Sequence, residues 1–162
     1  ILIMEKILSL IEKQPMLTPA QIAAMLDISE QEVAETIERC KKEGIIKGYR
    51  TLIDWDKVSS NHVKALIELR VTPKKGRGFE EIAQVIADME EVEAVTLISG
   101  GYDLLVEIKA KTFQEIAMLV AKRLSPLDDV YGTKTNFVLR SYKVNGVPFV
   151  DEDKDERGLN FL

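Results

Sequence analysis

The sequence predicts an α+β protein with an N-terminal (winged) helix-turn-helix followed by a ferredoxin-like βαββαβ domain. Two observations support this fold class. Residues 1–50 carry apolar side chains at helical spacing, interrupted by capping residues and a short turn. The second half repeats a strand–helix–strand pattern, and its two copies are offset by 34 residues.

The first two helices are each indicated by one apolar face. These faces consist of Met4, Ile7, Leu8 and Ile11 in the first helix, and of Ile22, Ala23 and Leu26 in the second. Thr18 is a favourable N-cap for the second helix. Pro19 suits its first position, because that position needs no amide donor. The segment "DIS" that follows is the predicted short turn of the motif.

The third helix lies within "SEQEVAETIERCKKEGII", residues 29–46, where Ser29 is the N-cap and Gly44 a left-handed stop. Its inner face consists of Val33, Ile37 and Cys40; its outward positions are Gln31, Glu35, Glu38, Arg39 and Lys42, with Glu32 and Thr36 at the flanks. This outward face is acidic for a helix that would lie against phosphates. We expect its glutamates to pair at i,i+4 spacing, as Glu35–Arg39 and Glu38–Lys42.

The segment after the third helix, "IIKGYRTLID", is β-branched and apolar and contains a glycine. It predicts an extended segment or a small wing. The next residues, "WDKVSSNH", read as a linker.

The repeat in the second half is "FEEIA" at residues 79–83 and "FQEIA" at residues 113–117. Each copy begins a helical pattern, and alternating apolar runs flank it on both sides. The runs are "VKALIELRV", "VEAVTLIS", "YDLLVEIKA" and "TKTNFVLRSYKV". A change from period two to period 3.6 and back, occurring twice, predicts two βαβ units that share one antiparallel sheet.

Four regions follow from these patterns. They are a helix-turn-helix domain at 1–50, a β-linker or hinge at 51–62, a ferredoxin-like domain at 63–146, and an acidic C-terminal tail at 147–162. Two interpretations of the tail stay open. It is either solvated or a segment that docks Leu159, Phe161 and Leu162 on a neighbouring subunit.

Composition indicates a globular chain and excludes several classes of site. No apolar run approaches the roughly 18 residues that span a bilayer, and the initial "ILIM" lacks the flanks of a secretory signal. A single cysteine and a single histidine favour a reducing cytoplasm and predict no metal site. The net charge is −5, and neither part of the chain is basic when it is split at residue 57, so composition alone gives no support to DNA binding.

One short motif, Gly-x-x-Asp at Gly100–Asp103, has two interpretations. As a binding corner, Gly100 and Gly101 would allow positive φ and the close approach of a ligand to the backbone. Freed backbone amides of the turn would receive a carboxylate, and Asp103 would hold an ammonium group. As a tight β-turn, the glycines would serve geometry and the aspartate local hydrogen bonds.

The order of elements, together with "GIIKGYRTLID" and "SGGYDLLVEI", resembles the Lrp/AsnC family of feast/famine regulators over about Met4 to Val144. The resemblance implies homodimers formed through the sheet domains, often assembled into octamers. It also implies an amino-acid-like effector near the loop between the second and third strands, so that residues 63–146 would be an effector-binding and oligomerisation domain. The effector-site residues it implies are Gly100, Gly101, Tyr102, Asp103, Thr133 and Thr135.

The resemblance further implies binding of double-stranded DNA. The candidate contacts are Thr18, Gln21, Ser29, Gln31, Glu35, Thr36, Arg39, Lys42, Lys47 and Arg50. The family pattern usually has basic residues where this chain has Met16, Glu35 and Thr36. The departures suggest weak or unusual DNA reading, so an effector-sensing oligomer that no longer binds DNA stays as the alternative to a transcriptional regulator.

Catalysis is the third hypothesis, since some relatives of this architecture decarboxylate modified haems. That chemistry needs positioned His and Arg groups, whereas His62 falls in the predicted linker. No catalytic arrangement or cofactor motif stands out, so we expect neither an enzyme nor a cofactor.

Overall fold

The computed structural model describes residues 1–59 and 61–150. The chain divides into two compact units, Ile1–Leu52 and Ile53–Leu162. The predicted tail from residue 151 onward, including the proposed docking residues, lies outside the described residues.

The first unit is a three-helix helix-turn-helix, as the sequence predicted. Its helices are α1 (Leu2–Lys13), α2 (Pro19–Leu26) and α3 (Glu30–Lys42). Their apolar faces meet in one core formed by Ile7, Ile11, Ile22, Ala23, Val33 and Ile37. Cys40 of α3 is also fully buried, and its thiol is free. Burial of one apolar stripe from each helix stabilises the motif, as expected for amphipathic helices.

The helix ends follow the capping signals. The Thr18 hydroxyl accepts from the Gln21 amide, and the Gln21 side chain accepts from the Thr18 amide, which completes a capping box. Ser29 accepts from the Glu32 amide at the start of α3. Gly44 has φ of +70°, so the predicted left-handed stop is confirmed.

The segment after α3 contains no strand in the part that the structure describes, residues 45–59 and 61–62. A single 3-10 turn at Trp55–Lys57 interrupts it. The expected β character of the linker at 51–62 is therefore absent from those described residues.

The second unit contains the predicted βαββαβ order. Its elements are β1 (Val63–Val71), α4 (Glu80–Ala87), β2 (Val92–Leu97), β3 (Leu104–Ala110), α5 (Phe113–Leu119) and β4 (Val130–Val138). The sheet order is β2-β3-β1-β4, and every neighbouring pair is antiparallel. This topology confirms the ferredoxin-like prediction.

The core of this unit lies between one sheet face and the helices. Alternate residues of the central strands, such as Ile67 and Val106, are fully buried against Ile82, Ile86 and Ile116 of the two helices. Residues between them, which point to the opposite face, are partly buried or exposed and include the ion pair Lys64–Glu107 at 2.6 Å. The alternation explains why the strand runs could be recognised in the sequence.

Two local features differ from the predicted pattern. The last predicted strand, residues 133–144, is two elements: β4 ends at Val138, and β5 (Lys143–Val144) pairs with β6 (Val147–Pro148). Asn145 and Gly146 adopt positive φ in the hairpin turn, which is the preference of an Asn-Gly pair. The hairpin therefore crosses the boundary predicted between residues 146 and 147. In addition, α5 continues into a π-helical turn, Val120–Leu124.

Candidate nucleic-acid and effector sites

Helix α3 presents most of its predicted contact residues to solvent. The exposed candidates in the first unit are Thr18, Gln21, Ser29, Gln31, Glu35, Arg39, Lys42, Lys47 and Arg50. Thr36 is the exception, because its side chain is only 7% exposed. It lies at the flank, three residues after Val33 and four before Cys40, but is buried there with the inner face, so we correct its placement among the contact residues.

The glutamates of α3 have different partners from those predicted. The Gln31 Nε2 donates to Glu35 Oε1 at 2.8 Å, in place of the expected Glu35–Arg39 pair. Glu38 pairs with Lys41 at 2.7 Å rather than with Lys42. The hydrogen bond and the charge of Glu38 raise the pKa of Lys41 above its usual value. Arg39 and Lys42 consequently form no ion pair within the described residues.

The Gly-x-x-Asp turn joins β2 to β3 and differs from the predicted binding corner in its backbone. Neither Gly100 nor Gly101 has positive φ. A Cβ on Gly100 would lie 3.6 Å from the Ile98 Cγ2, an ordinary contact, and one on Gly101 would meet nothing within 4 Å. The positive φ that glycine would allow at these two positions is therefore not adopted in this conformation, and the close approach of a ligand to their backbone stays a prediction.

Asp103 is tied to strand β1 by its backbone and its side chain. The Asp103 Oδ2 accepts from the Val71 amide at 2.8 Å, and its own amide donates to the Leu69 carbonyl at 2.9 Å. The carboxylate thus joins the turn to a strand 32 residues away in the chain, whereas the tight-turn interpretation expected it to make local hydrogen bonds. It has a second oxygen, so this bond does not use its full acceptor capacity.

The two threonines lie on strand β4, beside the same part of β1. Thr133 pairs with Leu69, which also bonds the Asp103 amide, and Thr135 pairs with Ile67. Thr133 is exposed and Thr135 is partly buried, while Tyr102 is partly buried within the turn. The fold therefore brings Asp103 and Thr133 to one end of the sheet although 30 positions separate them in the sequence.

A groove of about 710 Å³ lies at the other end of β3, and no residue of the Gly-x-x-Asp turn lines it. Sequence reasoning missed it, because its lining comes from the linker, from β2 and β3, and from α5 with its π-helical turn. No short motif joins such distant segments.

Residues 1–59 and 61–150 contain no helix that is long and apolar enough to cross a membrane. They also contain no group of three or more His, Cys, Asp or Glu side chains placed to hold a metal ion.

Comparison with known proteins gives matches over both units. Residues 3–47 match a model described as winged helix-turn-helix DNA-binding, and residues 64–148 match the Lrp/AsnC ligand binding domain. An uncharacterized HTH-type transcriptional regulator of Bacillus subtilis, YugG, is 40% identical over 94% of this chain and 92% of its own length. The leucine-responsive regulatory protein of Haemophilus influenzae is 25% identical over 85% of this chain and 82% of its own.

Solved structures agree with the fold. A transcriptional regulator from Neisseria meningitidis, crystallised as a complex with L-Met, aligns with a TM-score of 0.69 and 19% identity. The alignment covers 90% of this chain and 93% of that one.

Proposed function

The chain belongs to the Lrp/AsnC family, and from that premise we propose that it is a sequence-specific DNA-binding transcriptional regulator whose assembly and DNA binding respond to an amino-acid-like effector. The observation that carries the proposal is the combination of an exposed third helix in a helix-turn-helix with a domain matched as ligand-binding. Helix α3 is the second helix of the helix-turn-helix motif, and that helix commonly lies in the major groove of DNA.

Phosphate contacts come, in this proposal, from the cations around the end of α3. Arg39, Lys42 and Lys47 are exposed, and Arg50 follows them along the chain. The helix start at Thr18 and the start at Ser29 also favour phosphate through their backbone amides. Because few cations take part, the salt dependence of binding should be shallow.

Base reading falls to Gln31 and Glu35, which the 2.8 Å hydrogen bond holds together. With the Gln31 amide nitrogen directed at Glu35, the remaining oxygens act as acceptors, and an acceptor suits the N4 amino group of cytosine. The glutamates of α3 also repel phosphates, because a carboxylate about 4 Å from a phosphate near a protein surface has an unfavourable interaction energy of about 4 kcal/mol. Specific binding exceeds non-specific binding by only about 4–10 kcal/mol, so misplaced glutamates would remove much of it.

The effector site in this proposal is the end of the sheet around the Gly-x-x-Asp turn. The second carboxylate oxygen of Asp103 would accept a hydrogen bond from the ammonium group of the effector, beside Thr133 and Thr135. The backbone amides of Gly100–Tyr102 would face the carboxylate of the effector. The relatives support an amino acid, since one is named leucine-responsive and another was crystallised with L-Met.

Assembly links the two activities. We propose a homodimer formed through the sheet domains, with further association of dimers, so that effector binding favours one assembly and changes the spacing of the third helices. The effector must bind the two assemblies with different affinity, since otherwise it could not shift their populations.

Selection from fragmented genomic DNA, with and without amino acids, tests the proposal. We expect enrichment of a defined site and a change in its affinity when the effector is present. If no site is enriched under any of these conditions, the proposed regulator function is wrong.

An alternative is an amino-acid-sensing oligomer whose helix-turn-helix no longer binds DNA. The exposed Glu32, Glu35 and Glu38 on α3 favour it, because they oppose close approach to phosphates. Amino-acid binding without any retardation of DNA would support this alternative, and a specific operator complex would exclude it.

A further inference from the structure

The groove at the end of β3 combines an apolar floor with charged walls. Its floor includes Ile108, Ile116 and Leu119, which are at most 7% exposed. Met118, 42% exposed, extends the apolar surface outward. A volume of about 710 Å³ is within the usual range of small-molecule sites. The groove is roughly 20 Å from Asp103, judged from the rise per residue along β3.

One wall of the groove is the π-helical turn Val120–Leu124. The turn is closed by a hydrogen bond from the Ser125 amide to the Val120 carbonyl at 2.8 Å, five residues back. Val120 and Leu124 are buried, whereas Lys122 and Arg123 between them are exposed and line the groove. Such turns occur frequently at functional sites, because the extra residue re-aims neighbouring side chains.

Most of the acidic side chains in the groove are already engaged. Arg123 Nη1 donates to both carboxylate oxygens of Glu91, at 2.9 and 2.8 Å. Glu115 accepts from the Lys111 amide at 2.9 Å, and Glu93 also has a partner. These contacts leave Glu90, which is exposed, as the remaining lining carboxylate.

The cations divide differently. Lys109 lies over the Trp55 ring, 5.1 Å from its centroid, and the Trp55 ring contacts His62 at 4.9 Å. Lys111 and Lys122 form no ion pair with the described part of the chain. Two lining ammonium groups are therefore available beside an apolar floor.

We propose that this groove is a second small-molecule site, separate from the Gly-x-x-Asp turn, that binds a small carboxylate with an apolar body. The apolar body lies on Ile108, Met118 and Leu119, and the carboxylate faces Lys111 and Lys122. The proposal does not depend on DNA binding.

Trp55, the single tryptophan of the chain, provides the readout, because it contacts two lining residues. The full chain is titrated with 4-methylpentanoate while Trp55 fluorescence and thermal unfolding are followed. The neutral amide of the same acid is the matched ligand. Lys122→Ala is the test variant, and Lys75→Ala, at an exposed lysine outside the groove, is the matched control.

We expect a saturable fluorescence change and a raised Tm with the carboxylate but not with the amide. Loss of one charge-assisted contact in Lys122→Ala should raise the apparent Kd about tenfold, whereas Lys75→Ala should bind as the parent chain does. Absence of saturation in both measurements would overturn the proposal. Equal binding of the carboxylate and its amide would also overturn it. So would unchanged binding by Lys122→Ala, because that result would place the ligand away from Lys122, for example at the Gly-x-x-Asp turn.

Discussion

Helix α3 and the Gly-x-x-Asp turn differ in whether the residues that stabilise the fold are also the residues proposed to bind a ligand. In α3, the inner face of Val33, Ile37 and Cys40 holds the helix in its core, while Glu35 is exposed and accepts a hydrogen bond from Gln31. In the turn, the carboxylate that would meet an effector also bonds the Val71 amide. The residues proposed as DNA contacts on α3 can therefore change without loss of the fold, whereas the effector binding that we propose for Asp103 would depend on the same carboxylate as the stability of the fold.

The largest effect is expected for Asp103→Ala. Val71 is 2% exposed, so loss of the carboxylate leaves its amide without this partner and should lower the free energy of unfolding by about 2 kcal/mol. Asp103→Asn keeps an acceptor oxygen and should cost less than half as much. Urea unfolding measures both. Equal stability of Asp103→Ala and the parent chain would break the comparison, because Asp103 would then have no structural role.

Glu35→Arg tests the opposite claim for α3. The change removes repulsion and adds attraction to phosphate, so affinity for the selected DNA site should rise by about 1–2 kcal/mol, roughly 5–30-fold. Stability should stay within about 0.5 kcal/mol, as for other exposed substitutions. Fluorescence anisotropy with labelled DNA measures the affinity. Glu12→Arg, at an exposed position of α1, is the control for the change in net charge. Loss of sequence preference without a gain in affinity would instead identify Glu35 as a base-reading residue.

Ser29→Ala asks how far the two functions of α3 are separate, since this residue is both its cap and a candidate DNA contact. Loss of the hydrogen bond to the Glu32 amide should cost about 1 kcal/mol of stability. Ser29→Asp retains a capping acceptor and should preserve stability while weakening DNA binding through its charge. Thermal unfolding and anisotropy, measured on both variants, separate the two effects. If Ser29→Ala unfolds at the parent temperature, the cap contributes nothing to α3.

The smallest effect is expected for Gly101→Ala. Its φ is not left-handed and a Cβ would meet no atom within 4 Å. The free energy of unfolding should therefore rise by up to about 0.5 kcal/mol, because alanine lowers the conformational entropy of the unfolded chain. Gly44→Ala is the contrasting variant, because its φ of +70° makes the change cost about 1 kcal/mol. Denaturant unfolding of the pair distinguishes a glycine kept for backbone geometry from one that is not. A large loss in Gly101→Ala would show that the turn adopts another conformation in solution.

Sequence reasoning predicted features that local chemistry determines. The Thr18 and Ser29 caps, the stop at Gly44 and the repeated βαβ pattern each depend on residues close together in the chain. The hairpin at Asn145–Gly146 had an equally local signal, but the alternating run around it was interpreted as one continuous strand.

Features set by distant partners were not predicted. The bond from Asp103 to Val71 spans 32 residues, and the groove needs segments from across the second unit. Thr36 shows the intermediate case: its helical position was known, but the depth of the core beside it was not, so a flank position proved to be buried. Periodicity gives direction around a helix, whereas burial depends on what packs against it.

The buried thiol of Cys40 allows local opening of the first unit to be measured separately from the second unit in the full chain. It is the only cysteine in the sequence and has no exposed surface, so a reagent such as a disulfide can reach it only when α3 transiently leaves its core. Each 1.4 kcal/mol of opening free energy should slow labelling about tenfold when reclosing is fast. Labelling kinetics therefore give the local opening equilibrium of the helix-turn-helix without any tag. The same experiment with DNA added would show whether binding restrains that opening.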